Sequence, residues 1–293
     1  MKTVKFYNEL EDYLFEYLTE QTGKSYLHLI KRFLRQFPGA DNFSLKEIEA
    51  YFYDLKTKGN KVNYRKVILA ALKVYYDFLL YRKMIPFHPC KSFYITEKRP
   101  SGINFGGLLS MEEMELLFTL KENRYKNLLN RDKVIIGLLI YQGVTSGELA
   151  NIRVQDIKDG AVFIRGNRNS LSRTIELKSS QMEPMLNYMN EERENLMKVQ
   201  TDRLILTMRG VPITVDSIHA FINGMAGAFE REMSPANIRK SVISYWINER
   251  GFKLEDVQIM AGHKYPSSTQ KYVRANTDEQ RDVMTKLHES IFM

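Results

Sequence analysis

Residues 234–274 read SPANIRKSVISYWINERGFKLEDVQIMAGHKYPSSTQKYVR, and three of their side chains, Arg239, His263 and Tyr272, suit work on a single phosphate. A guanidinium presents a rigid fork of donors to phosphate oxygens. An imidazole donates a hydrogen bond or carries a proton, and a phenol can act as a covalent nucleophile. Each also has a plain structural reading. With 17 tyrosines in 293 residues, Tyr272 alone carries little signal. His263, following a glycine, can end the helix that carries Val257 and Met260, and Arg239 can pair with a surface carboxylate. The joint spacing carries the argument, and it points to phosphoryl transfer through a covalent protein–DNA bond.

An arginine opening a helix, a Gly-His pair about two dozen residues on and a tyrosine nine residues after that histidine resemble the tyrosine recombinases, or phage integrases. AGHKYPSSTQKYV is similar to the family's Leu-Gly-His, Ser/Thr-Thr and Tyr pattern. The usual His-x-x-Arg motif departs here, with Ala236 at the histidine and Lys240 where a second histidine is common. The resemblance implies that Tyr272 attacks a DNA phosphate to form a 3′-phosphotyrosyl link. Arg239 would stabilise the pentacoordinate phosphate, with His263 as hydrogen-bonding partner or proton carrier and Lys240 as an auxiliary.

Upstream, LLSMEEMELLF opens a domain with a capping box, Ser110 and Glu113. LLNRDKVIIGLLIYQGVTSGELANIRVQDI then predicts a buried helix around Val134 to Tyr141, a break at Gly143 and a short helix with Glu148 and Leu149. This segment resembles the family's Gly-Leu-Arg-x-x-Glu-Leu box, but Thr145 stands at the catalytic arginine, and a hydroxyl brings no charge. Arg153 lies one or two turns later as a weak substitute. AVFIRGNRNSLSRTIEL, residues 161–177, predicts a hairpin. In the family this hairpin carries a general-acid lysine, and Leu171 falls at that place. Arg168 and Arg173 can hold phosphate but are poor proton donors.

The positive charge gathers toward the N-terminus. Net charge is +8, and residues 21–100 hold 16 Lys and Arg against 6 Asp and Glu. A basic segment of that size suits phosphate neutralisation on nucleic acid. Four helices are predicted there, through Leu10, Leu14 and Leu18; through Leu27, Ile30, Phe33, Leu34 and Phe37; from a Ser44–Glu47 capping box through Leu55; and through Val67, Ile68, Leu72, Tyr75, Tyr76 and Leu79. Lys24, Lys31, Arg32 and Arg35 lie on or beside the second helix, and Lys61, Arg65, Lys66 and Lys73 lead into and along the fourth. The layout resembles the core-binding domain of tyrosine recombinases, so these eight cations are the expected DNA contacts.

The expected fold is mainly α with a small β-sheet, arranged as a two-domain DNA clamp. Residues 1–91 form a helical, SAM-like core-binding domain, 92–108 a linker rich in Pro and Gly, and 109–293 the catalytic domain. Further expectations are a helix from about 181 to 198 with a Met182, Met185, Leu186, Met189 and Leu196 core face, a short buried strand in RLILTMRG, a helix near 218–229 and a last helix through Val283, Leu287 and Ile291. One cysteine, Cys90, excludes a disulfide framework and a thiolate metal cluster. No signal peptide, membrane span, Walker loop or paired metal-binding histidines are visible, so a cytoplasmic, nucleoid-associated protein is expected. The resemblance implies site-specific recombination of double-stranded DNA by a homo- or hetero-oligomer, a tetramer on paired sites, with no metal and no cofactor. Thr145, Leu171 and Ala236 leave open a second reading, a DNA-binding paralogue that assists an active recombinase.

Overall fold

The computed structural model describes residues 4–97, 102–119, 128–229 and 231–274. The chain divides into two compact units, Met1–Ser101 and Gly102–Met293.

The first unit is helical: α1 Val4–Tyr17, α2 Glu20–Gln36, α3 Leu45–Thr57 and α4 Val62–Tyr81. Apolar residues at helical spacing put Leu10, Leu14, Ile30, Phe33, Ile48, Leu72, Tyr75, Tyr76 and Phe78 in one core. Burying a side chain of this size stabilises by roughly 1.5–3 kcal/mol before entropy is counted. The Ser44–Glu47 capping box is formed and starts α3. Tyr76 donates its hydroxyl to the Ala40 carbonyl at 2.8 Å, which explains why the aromatic stripe is core. Val67, expected on the buried face of α4, is instead exposed. Burial pushes the Cys90 thiol up to about 12, which keeps it protonated and inert.

Most of the expected linker is tied down. Phe93 and Ile95 pack on the first core, while Ile103 packs on the second and Leu108 is buried.

In the second unit the Ser110–Glu113 box opens α5, Met111–Thr119. Helix α6, Leu129–Tyr141, is buried on nearly every face and forms the axis of the core. After it come α7, Ser146–Asn151, and an antiparallel sheet β1-β2-β3, with β1 Ile157–Lys158, β2 Ala161–Ile164 and β3 Arg173–Glu176. Val162 faces Ile175 and Ile164 faces Arg173, which is the expected hairpin.

Helix α8, Ser179–Asn187, passes into a π-turn at Tyr188–Glu192 and then α9, Arg193–Leu196. The core face there is Gln181, Pro184, Met185 and Tyr188; Leu186, one residue round the regular helix from Met185, lies off that face and is exposed. RLILTMRG is buried at Leu204–Leu206, but it pairs through isolated bridges rather than as a strand. Helix α10, Val215–Asn223, leads to α11, Pro235–Asn248, α12, Leu254–Ala261, and α13, Ser267–Gln270. The predicted last helix lies outside the described residues. Among the described residues no helix is long and apolar enough to cross a membrane, and no group of three His, Cys, Asp or Glu is placed to hold a metal ion.

Candidate active site

Helix α11 supplies the first side chain. Ser234 caps it through the Asn237 N–H at 3.1 Å, and Pro235 sits in its first turn. Ile238, Val242, Ile243 and Trp246 then bury its inner face, leaving Arg239 at the edge of the core. Arg239 donates Nη1 to the Gly143 carbonyl and Nη2 to the Ala261 carbonyl, the latter at 2.6 Å. Gly143 has φ +56°, and a Cβ there would press on Val242 and Trp246 at 3.2 and 3.3 Å, so glycine lets this turn lie against α11. Burial lowers the Arg239 pKa from its usual value, with Glu148 opposing the shift. Two of the five guanidinium donors are thus directed at backbone, which fixes the fork.

Glu148 lies under that fork, its Oε2 4.0 Å from Arg239 Nη1. It is gripped more closely by Arg173 of β3, Nη1 to Oε1 at 2.7 Å and Nη2 to Oε2 at 3.1 Å. Burial alone would raise the Glu148 pKa, but the Arg173 fork, the Thr145 N–H and Arg239 outweigh it and hold the carboxyl below its ordinary value. Thr145 is the N-cap of α7, its hydroxyl accepting from Glu148 N at 3.1 Å and its own N–H donating to Glu148 Oε2 at 2.8 Å.

Helix α12 ends at Gly262 in the left-handed region, φ +65°, as a C-cap requires. The hairpin tip docks on that turn: Leu171 N donates to Gly262 O at 3.0 Å, and Ser170 forms a bridge with His263. His263 Nδ1 lies 2.9 Å from Oγ1 of the buried Thr269. With Thr269 donating, the ring proton sits on Nε2, ready for an acceptor. Burial, then the positive charges of Arg239, Lys271 and Arg173, push the His263 pKa down to about 4, so the ring is neutral at pH 7.

Tyr272 stacks on His263, ring centroids 6.2 Å apart and planes 15° from parallel. It is 5% exposed. Burial raises the phenol pKa, and Arg239 pulls it back. Its backbone is clamped by Thr269 O, which accepts from Tyr272 N at 2.9 Å, and by Asn248. Asn248 Nδ2 donates to Tyr272 O, and Asn248 Oδ1 accepts from Arg274 N, both at 2.9 Å. Arg239 and the clamp therefore stand on the same helix. The arrangement gathers a fixed guanidinium, a neutral imidazole and a phenol, the set a phosphoryl transfer through tyrosine needs.

Residues 108–279 match the phage integrase family, and residues 6–85 match the phage integrase N-terminal SAM-like domain. The chain belongs to the phage integrase family. Tyrosine recombinase XerC of Staphylococcus aureus (strain JH9) is 30% identical over 290 residues, covering 92% of this chain and 91% of the relative. A crystal structure of a lambda integrase(75-356) dimer bound to a COC' core site is 16% identical, with TM-score 0.67 and coverage of 94% of this chain and 96% of that one. The XerH site-specific recombinase bound to palindromic difH substrate, in a post-cleavage complex, is 19% identical, with TM-score 0.67 and coverage of 90% and 79%. As a phage integrase family member of the tyrosine recombinase kind, the chain breaks and rejoins DNA strands site-specifically.

Against the family pattern, Ala236 is exposed in the first turn of α11, Leu171 is 45% exposed on the hairpin tip, and Arg168 is exposed on the same tip. Lys240 is exposed and lines a cavity of about 400 Å³ with Asn104, Arg231 and Asn237, away from the Arg239 fork. Arg153 pairs with Asp202 at 3.1 Å at the surface, so it does not fill the place of the arginine at 145. The N-terminal cations divide. Arg65 is turned inward, its side chain 7% exposed and forked onto Glu97 at 2.6 and 3.2 Å, because this pair ties the 91–97 segment to α4; its charge does not face solvent. Lys66 donates to the Glu97 carbonyl at 2.9 Å and Lys73 to that of Lys91 at 3.2 Å, anchoring the same segment. Lys24, Arg32, Arg35 and Lys61 are exposed, and Lys31 is half-buried with its ammonium 5.2 Å from the Tyr7 ring.

Sequence reasoning missed Glu148, Thr269 and Asn248 as parts of the site. The Glu in Ser-Gly-Glu-Leu is a visible signal for the first; the other two show only through contacts.

Proposed function

We propose that Tyr272 is the nucleophile that joins the chain to a DNA 3′-phosphate. The juxtaposition of Arg239, His263 and Tyr272 carries this reading. Tyr272 Oη attacks phosphorus, the 5′-oxygen of the next nucleotide leaves, and a 5′-hydroxyl of a partner strand reverses the step. Arg239 holds the pentacoordinate phosphate through its fixed fork, and His263 donates Nε2–H to a non-bridging oxygen. Lys24, Lys31, Arg32, Arg35 and Lys61 bind the DNA backbone from the first unit, and the working form is a tetramer on paired sites on the bacterial nucleoid, in the cytoplasm. Binding to DNA and self-association are supported by the named relatives: the lambda integrase was captured as a dimer on a core site and XerH on its difH substrate.

DNA affinity should fall steeply with salt, because phosphate contacts release counterions. Five neutralised phosphates predict a slope of log K against log salt of about −4 to −5. Gel-shift titrations between low and moderate salt check this, and a flat response would remove the clamp reading.

The hairpin between β2 and β3 brings no lysine, so proton delivery to the leaving oxygen is weak. A 5′-bridging phosphorothiolate should be cleaved at least about 10²-fold faster than ordinary DNA, since a thiolate leaves unprotonated. Thr145→Arg should speed cleavage of both substrates by adding charge, while losing the N-cap costs about 1 kcal/mol of stability. If Tyr272 is not trapped on the phosphorothiolate and Thr145→Arg is also silent, the non-catalytic reading replaces this one.

A further inference from the structure

The Arg173 side chain is 1% exposed, and its fork closes on Glu148, 3% exposed. Arg239 stands on the other side of that carboxylate at 4.0 Å, short of a hydrogen bond, with its terminal nitrogens directed at Gly143 and Ala261. One buried carboxylate thus lies between two enclosed cations and bonds one of them. Arg173 Nε is buried with no hydrogen-bond partner among the described residues, so the site keeps an unsatisfied donor in order to hold this fork. Gly262 makes room for it: a Cβ there would come within 2.4 Å of Arg173 Nη1.

We propose that Arg173 is a positioning residue: by neutralising Glu148 it keeps that carboxylate off Arg239 and leaves the Arg239 charge for the DNA phosphate. The inference rests on the recombinase reading of the trio but concerns a pair outside it. Opposite charges about 4 Å apart in a poorly solvated site attract strongly. Without Arg173, Glu148 would draw Arg239 into a hydrogen-bonded pair whose net charge is zero. With it, Arg173, Glu148 and Arg239 together carry one positive charge. That charge matters more here than in a site with arginine at 145, because Thr145 adds none.

The test combines cleavage of nicked DNA carrying the chain's own site with a crystal structure. Arg173→Met should cleave about 10²-fold slower than wild type, with DNA affinity within about threefold, because the lost group faces Glu148 and not the backbone. Adding Glu148→Gln to that variant should recover about tenfold, since a neutral amide at this position no longer attracts Arg239. A purely structural role predicts a double variant as slow as the single or slower, and that result overturns the proposal. In the Arg173→Met crystal structure the Glu148–Arg239 separation should close to about 2.8 Å; an unchanged separation also overturns it, whether or not the wild type cleaves. Absence of an adduct with wild type counts against the recombinase reading, and the crystal distance still decides the positioning role. Should Arg173→Met fail to fold, Arg173→Lys keeps the charge and should stay within about tenfold of wild type; a folded Lys variant about 10²-fold slower overturns the proposal.

Discussion

Tyr272→Phe should abolish the covalent adduct and recombinant product, a loss of more than about 10⁴-fold in cleavage, because it removes the nucleophile itself. The fold should hardly notice. The Tyr272 ring is buried against His263, and the clamps on residue 272 are backbone bonds to Thr269 and from Asn248, all of which phenylalanine keeps. Stability is expected within about 0.5 kcal/mol of wild type. DNA affinity should change by less than about threefold, since phosphate contacts from the first unit are untouched. Denaturing gels for adduct and native gels for binding check the two halves, and loss of binding together with cleavage would show that Tyr272 acts structurally.

Arg239→Ala should slow cleavage by about 10²–10³-fold, equivalent to about 3–4 kcal/mol, because a preorganised donor acts on charge that grows in the transition state. Binding should weaken far less. The variant also leaves the Gly143 and Ala261 carbonyls without their guanidinium partner, so a stability loss of about 1–3 kcal/mol is expected. Arg239→Lys separates the two effects: it keeps a charge but cannot bond both carbonyls, and it should recover only part of the rate. Single-turnover cleavage with saturating protein measures this, and an Arg239→Ala rate equal to wild type would remove Arg239 from the site.

Local signals were legible wherever neighbours in sequence are neighbours in space. Ser44–Glu47 and Ser110–Glu113 formed their capping boxes, and Gly262 adopted the left-handed turn that places His263 beside Tyr272. The alternation of Val162 and Ile164 against Arg173 and Ile175 set the hairpin register. What sequence could not show depends on distant pairs. Arg65 reads as a surface cation on a basic helix until Glu97, 32 residues away, turns it inward. Leu186 fits a face shared with Met182 and Met189, but the core side of α8 is the one that carries Gln181, Pro184 and Met185, and Leu186 is left exposed. Thr145 reads as a loss at the family's arginine; its place as the cap that helps to hold Glu148 emerges only with Arg173 and Arg239 around that carboxylate.

The most direct test of the account is to identify the residue joined to DNA. Wild-type protein is reacted with a nicked or phosphorothiolate substrate carrying its own site, the adduct is digested with trypsin and nuclease, and the modified peptide is sequenced by mass spectrometry. The account predicts a nucleotide 3′-phosphate on Tyr272 within Tyr272-Val273-Arg274. A modification on any other residue, or no adduct on a site the protein demonstrably binds, would contradict it.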